Sequence, residues 1–210
     1  MRIVVFGATG GTGVEVVKQA LGLGWEVISF ARSRQPNAGH PLLTAVSGDV
    51  LDAQAVARTV LEARPDVVVS ALGVKIGEPP GKVRSIGTGN IVAAMEKAGV
   101  KKLIAISAIG VSGTRNSQTL ASRILLPLIV GRERLREVEE QEAIISSSSL
   151  DWLLLRAPRL LDGESKRAVR AEATIRSGMG ASITRKALAS TILHFAHSNQ
   201  TCRRALMALG

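Results

Sequence analysis

The stretch IVVFGATGGTGVEVVKQALGLGWEVISFARS, running from Ile3 to Ser33, decides the fold. Ile3–Phe6 is wholly apolar, as a parallel strand covered on both faces must be. It runs into the turn Gly7-Ala8-Thr9-Gly10-Gly11-Thr12-Gly13, then a helical pattern over Gly13–Leu23, then a second apolar run, Glu26–Ala31. Strand, glycine turn, helix and strand in that order predict a βαβ unit whose turn receives an anion. Gly7 suits the tight turn, Gly10 lets a pyrophosphate approach the backbone, and Gly13 lets the helix lie close to the strand. The free N–H groups of the turn, with Thr9, Gly11 and Thr12 completing it, would hold the phosphates at the positive end of the helix. A glycine-rich turn that binds nothing is the alternative. No Lys-Ser or Lys-Thr closes the turn, which sets aside a Walker-type loop.

The second run ends on Arg32-Ser33-Arg34, where a dinucleotide site selective for NAD would carry an acid. Cationic donors there suit a 2′-phosphate, so the sequence favours NADP(H), with Arg32 as the main contact and Ser33 as an extra donor. Arg34 reads equally well as a solvated loop charge. Gly48-Asp49-Val50 follows a short strand around Ala45–Val46. Asp49 there either accepts from the adenine amino group, with Val50 covering the base, or merely starts a turn. Ala71, Leu72 and Gly73 close the fourth strand with little bulk, leaving room for a ribose. Asn90 either pins a backbone carbonyl beneath the cofactor or is a plain polar helix residue.

Further strands are expected at Val67–Ser70, Leu103–Ser107 and Trp152–Arg156, and helices at Ala53–Ala63, Ile86–Ala98, Gly131–Ile145 and Arg185–Ala196. Continuous apolar runs alternating with helices predict a doubly wound, mostly parallel α/β sheet with helices on both faces, a three-layer α/β/α domain. No repeat or break divides residues 1–210, which read as one domain whose substrate-side elements lie at about 157–210. Segment 110–130 is irregular, polar and then apolar. It reads either as a loop and helix covering a ligand cleft or as a piece of subunit interface.

The net charge of +10 invites a nucleic-acid reading, but the bases are scattered and the chain has no Tyr, three Phe and two Trp to stack on bases. No specific nucleic-acid partner is expected. The apolar patch Ile124–Val130 is too short to cross a bilayer and contains Pro127, so no membrane partner is expected either. Met1-Arg2 leads straight into a strand with no signal-peptide pattern, and a single Cys202 fits a reducing compartment, so the expected location is cytoplasmic. His194, His197 and Cys202 have a spacing that metal ligands can take, but no further ligand motif accompanies them, and no metal is expected.

The segments VVFGATGGTG, SFARS, GDVLD, VVVSALG, TGNIVAAMEKAGVKKLIAISAIG, SSLDWLLLRAPRLLDG and SITRKALASTIL together cover most of the chain. On them the chain resembles the atypical short-chain dehydrogenase/reductase superfamily, in the NAD(P)H-binding group of biliverdin reductase B (a flavin reductase) and the NmrA-like and HSCARG-like proteins. The resemblance implies a Rossmann fold and a serine beside the nicotinamide, here Ser107. It also implies an Arg-Pro pair beside the nicotinamide. Here Pro158 follows Arg156 one residue late, with Ala157 between them. Thr184 would cap the last helix, where relatives often carry an acid in the first turn and this chain has Ala187.

The superfamily's usual proton donor is a tyrosine, and this chain has none. Ser107 and Arg115 remain as catalytic candidates, Ser107 orienting the carboxamide or substrate and Arg115 meeting an anionic acceptor. Each has a plain alternative, a strand-end hydroxyl and a surface charge. Hydride transfer needs little beyond placement of the nicotinamide against its acceptor. Taken with the resemblance to compact relatives that reduce flavins or tetrapyrroles without a tyrosine, the sequence implies an NADPH-dependent reductase of a conjugated small-molecule acceptor such as a flavin, quinone or tetrapyrrole. The alternative is a non-catalytic NADP(H)-binding sensor of NmrA-like type that controls a protein partner through segment 114–136. A monomer and a homodimer are both open.

Overall fold

The structure, a computed structural model, describes residues 1–32, 39–74, 81–112, 114, 118–164, 168–178, 180–198 and 203–210. The first half contains β1 (Arg2–Phe6), α1 (Gly11–Gly22), β2 (Glu26–Ala31), β3 (Leu43–Ser47), α2 (Ala53–Ala63), β4 (Val67–Ser70), α3 (Val83–Ala98) and β5 (Lys102–Ala108). The second contains α4 (Leu120–Val130), α5 (Arg132–Ser147), β6 (Asp151–Ala157), β7 (Arg159–Leu161), β8 (Arg170–Glu172), β9 (Ser182–Thr184), α6 (Arg185–His197) and β10 (Arg204–Leu209).

The main sheet runs β3-β2-β1-β4-β5-β6-β10-β8, parallel except for the antiparallel β10–β8 pair. β7 and β9 form a separate parallel pair. Because β1 pairs with both β2 and β4, the strand order reverses beside it. A crevice opens at such a switch point, at the carboxyl ends of the strands. The glycine turn after β1 and the chain leaving β4 are its two walls.

Period-two alternation divides the core. Ile3 and Val5 of β1 face one side with α1 and α6, while Val4 and Phe6 face the other with α2 and α3. The three-layer α/β/α arrangement is thus the expected one. Its α2 bounds follow from Asp52, whose carboxylate accepts from the amides of Gln54 (2.9 Å) and Ala55 (3.2 Å). Thr184 caps α6 in the same way, accepting from Ala187 N at 3.2 Å.

Segment 110–130 contains the helix that one of its two readings expected. Thr119 caps a regular helix, α4, accepting from Ser122 N at 3.3 Å, and Pro127 lies inside it. Its apolar side chains stand out from the molecule: Leu120, Ile124, Leu128 and Ile129 are 59–72% exposed. The C-terminal segment also does more than line a site, because β10 and β8 extend the main sheet and α6 packs on α1.

Two glycines of α3 make opposite forecasts. A Cβ on Gly87 would lie 2.8 Å from Val50 Cγ1, whereas one on Gly89 would meet nothing within 4 Å. Gly89→Ala is expected to stabilise the fold by about 1 kcal/mol through helix propensity alone. Chemical denaturation measures it, with Gly87→Ala shifting the midpoint the other way.

Candidate functional site

The glycine turn is shaped by backbone contacts. Gly7 has φ +77°, and a Cβ there would sit 2.6 Å from the carbonyl oxygen of Ala71. A Cβ on Gly13 would sit 2.2 Å from the carbonyl oxygen of Gly7. The amides of Gly7 and Ala8 donate to Phe30 O at 3.2 and 3.4 Å, tying the turn to β2, and Ala71 N donates to Phe6 O at 2.9 Å. These contacts fix the distance between the two walls of the crevice.

Gly10 is the N-cap of α1 and has no side chain with which to cap it. The first-turn amides of a helix have no intrahelical partner, so here they are left for an anion. Buried Thr12 and half-buried Thr9 complete the turn. Such a turn, which a Cβ at position 7 or 13 would push out of shape, fits a dinucleotide's pyrophosphate.

Arg32 is exposed directly after β2. Ser33, Arg34, Arg115 and Cys202 lie outside the described residues. Asp49 builds a turn: its carboxylate accepts from Leu51 N and its carbonyl from Asp52 N, both at 3.0 Å. Val50 is buried, and its carbonyl accepts from Asn90 Nδ2 at 2.9 Å, the pinning role weighed for that asparagine. Leu72 is buried and Gly73 exposed at the mouth of the crevice, where a Cβ on Gly73 would lie 3.3 Å from Arg84 Nη2.

Ser107 is where the structure adds most. It is buried near the end of β5, and its hydroxyl donates to Glu142 Oε1 at 2.5 Å. Arg156, paired with Ser107 across the β5–β6 ladder, donates from Nε to Glu142 Oε1 (2.9 Å) and from Nη2 to Oε2 (2.7 Å). The hydroxyl of Ser107 is therefore bonded to a carboxylate, not to backbone, and its proton is already committed. Pro158 is buried immediately after β6.

A second polar group borders the first. Glu137 accepts from Ser85 Oγ (2.6 Å) and the amide of Arg84 (3.2 Å), while Arg84 Nη1 donates to Gln141 Oε1 (3.0 Å). Burial holds the Arg84 guanidinium below its ordinary pKa, against the opposing pull of Glu137. Glu137, Gln141 and Glu142 are buried on α5, Glu137 meeting the start of α3 while Gln141 and Glu142 reach β5 at Ile106 O and Ser107 Oγ. Sequence reading missed all three, together with Arg84. Its one available signal was the run of acids and amides in an otherwise core-facing helix stripe.

A family described as NAD(P)H-binding matches residues 7–199. A 3-diazoavenalumate denitrifying reductase from a Streptomyces species is 33% identical over 74% of this chain and 55% of its own length. An uncharacterized chloroplastic protein of Arabidopsis thaliana is 29% identical over 74% of this chain and 58% of its own. The chain thus spans a little over half the length of these curated relatives. Among solved structures, ChuY, an anaerobillin reductase of Escherichia coli, superposes with a TM-score of 0.82 at 20% identity, over 99% of this chain and 96% of that one. A short-chain dehydrogenase/reductase of Veillonella parvula in complex with NADP gives 0.82 at 15% identity, over 99% and 93%. Those two likenesses show the shared fold. No helix among the described residues is long and apolar enough to cross a membrane. With a glycine turn at the sheet's switch point and a family match over nearly its whole length, the chain belongs to the NAD(P)H-binding family and has a Rossmann fold.

Proposed function

We propose that the chain is an NADPH-dependent reductase that delivers hydride directly to a conjugated, electron-poor acceptor such as a flavin, quinone or tetrapyrrole. The observation that carries this reading is the state of the β5 edge. A cofactor cradle is built, yet the chain has no tyrosine, and the proton of Ser107 is held by Glu142. An acceptor that takes its proton from water needs no protein acid, and placement supplies most of the catalysis. The glycine turn holds the pyrophosphate, Arg32 and Ser33 the 2′-phosphate, and Asp49 and Val50 the adenine. Ala71 to Gly73 line the ribose, and Ser107 and Pro158 lie on the nicotinamide side. The bound cofactor supplies the hydride. Arg115 meets an anionic acceptor, and the elements beyond residue 157 shape the acceptor side. The names of ChuY and of the Streptomyces relative, both reductases, support the reaction class.

Two experiments test it. Arg32→Ala is expected to weaken NADPH binding roughly 10- to 100-fold, the worth of a lost charge-assisted contact, while NADH binding stays nearly unchanged; equal losses would remove the 2′-phosphate assignment. Ser107→Ala is expected to keep its rate of acceptor reduction within about tenfold. A fall beyond about 100-fold, the usual worth of a general acid, would make Ser107 the proton donor.

The second reading, a non-catalytic sensor, draws on α4. Its exposed apolar side chains form a surface of the kind that protein partners cover.

A further inference from the structure

Gly11 is not required by the turn. Its backbone is not left-handed, and what crowds it is a side chain: a Cβ there would lie 2.6 Å from both Cδ and Nε of Arg185 and 3.4 Å from its Cζ. Arg185, the first residue of α6, thus reaches the first residue of α1, and the absent side chain at position 11 makes room for it. α6 opens with Arg185-Lys186 and has no acid in its first turn. Two cations at the positive end of a helix dipole oppose that dipole, so the arrangement calls for an anion.

Among the described residues the anions bonded to them are Asp162, whose Oδ1 lies 2.6 Å from Arg185 Nη1, and Glu164, which accepts from Lys186 Nζ, with the charge of Glu15 on α1 adding to the pull on Lys186. Asp162 is 88% exposed, and a pair so wet contributes little. The start of α1, the start of α6 and the Arg185 guanidinium therefore gather positive charge at one place, against a carboxylate that solvent can release.

We propose that Arg185 is a pyrophosphate-binding residue of the dinucleotide site, parked on Asp162 until the phosphates take that carboxylate's place. The proposal rests on the reading of the glycine turn as the phosphate site. Pyrophosphate is common to NADH and NADPH, so Arg185 acts on both alike, whereas Arg32 distinguishes them.

The test is calorimetric titration of the native chain, Arg185→Met, Arg185→Lys and Asp162→Asn with NADPH and with NADH. Arg185→Met is expected to weaken both by the same factor, about tenfold, with Arg185→Lys in between. Asp162→Asn is expected to bind both at least as tightly as the native chain. Native affinity in Arg185→Met, or a loss confined to NADPH, would overturn the assignment. So would a loss in Asp162→Asn as large as that in Arg185→Met, because the pair would then be a structural clasp. A native chain that binds neither dinucleotide would overturn the phosphate-site reading itself. Tight native binding with indifferent variants would overturn only the role of Arg185.

Discussion

Replacing Glu142 with alanine is expected to destabilise the fold by about 3 kcal/mol, because it leaves a buried cation without its partner. The side chain of Glu142 is 4% exposed and that of Arg156 15%, so water does little to replace the lost contacts. Three hydrogen bonds go with that carboxylate, two from Arg156 and one from Ser107. Removing both charges should cost far less than removing one, since a buried ion pair is commonly exchanged for apolar residues at little net loss. The double variant Glu142→Leu/Arg156→Met is therefore expected to recover most of the stability in urea denaturation. A single-variant loss below about 1 kcal/mol, the range of exposed pairs, would mean that solvent already serves this pair.

The second large effect is at Gly13. An added methyl would collide with the Gly7 carbonyl oxygen at 2.2 Å and with Ala8 Cα at 3.0 Å, and both are backbone atoms that no rotamer change can move. The turn itself must shift. Gly13→Ala is expected to cost about 1–3 kcal/mol of stability, as overpacking does. Dinucleotide affinity should fall on the order of 100-fold, since displacing a fixed cradle by an ångström forfeits its alignment. Gly10→Ala is the milder comparison, because its Cβ would meet Gly7 O at 3.3 Å. Circular dichroism and titration with NADPH separate the two losses, and unchanged affinity in Gly13→Ala would show that phosphates bind elsewhere.

The parts of the molecule that could be read from sequence are those governed by neighbours in the chain. β2, α2 and β4 end where the apolar runs and the Asp52 cap end them, at Glu26–Ala31, Ala53–Ala63 and Val67–Ser70. The glycine turn was legible for the same reason, since strand, turn and helix follow one another directly. β7 and β8 were not, because three-residue strands hold no period and exist through distant partners, as Arg159 does opposite Ser182. α4 was legible only as one of two readings, because Pro127 and an apolar pattern that never turns to a core leave it without a clear period. The commitment of Ser107 to Glu142 spans 35 positions in the chain, and the reach of Arg185 to Gly11 joins the starts of two distant helices. Sequence spacing carries no sign of either.

The central claim is hydride delivery from NADPH to a conjugated acceptor. Its most direct test adds a flavin, a quinone and a tetrapyrrole in turn to the purified chain with NADPH or NADH, following the loss of reduced-nicotinamide absorbance. Oxidation of NADPH in preference to NADH, dependent on at least one of these acceptors, is the predicted result, and the order of rates would name the acceptor. Tight NADPH binding with no oxidation on any of them would contradict the claim and leave the chain a sensor of its cofactor.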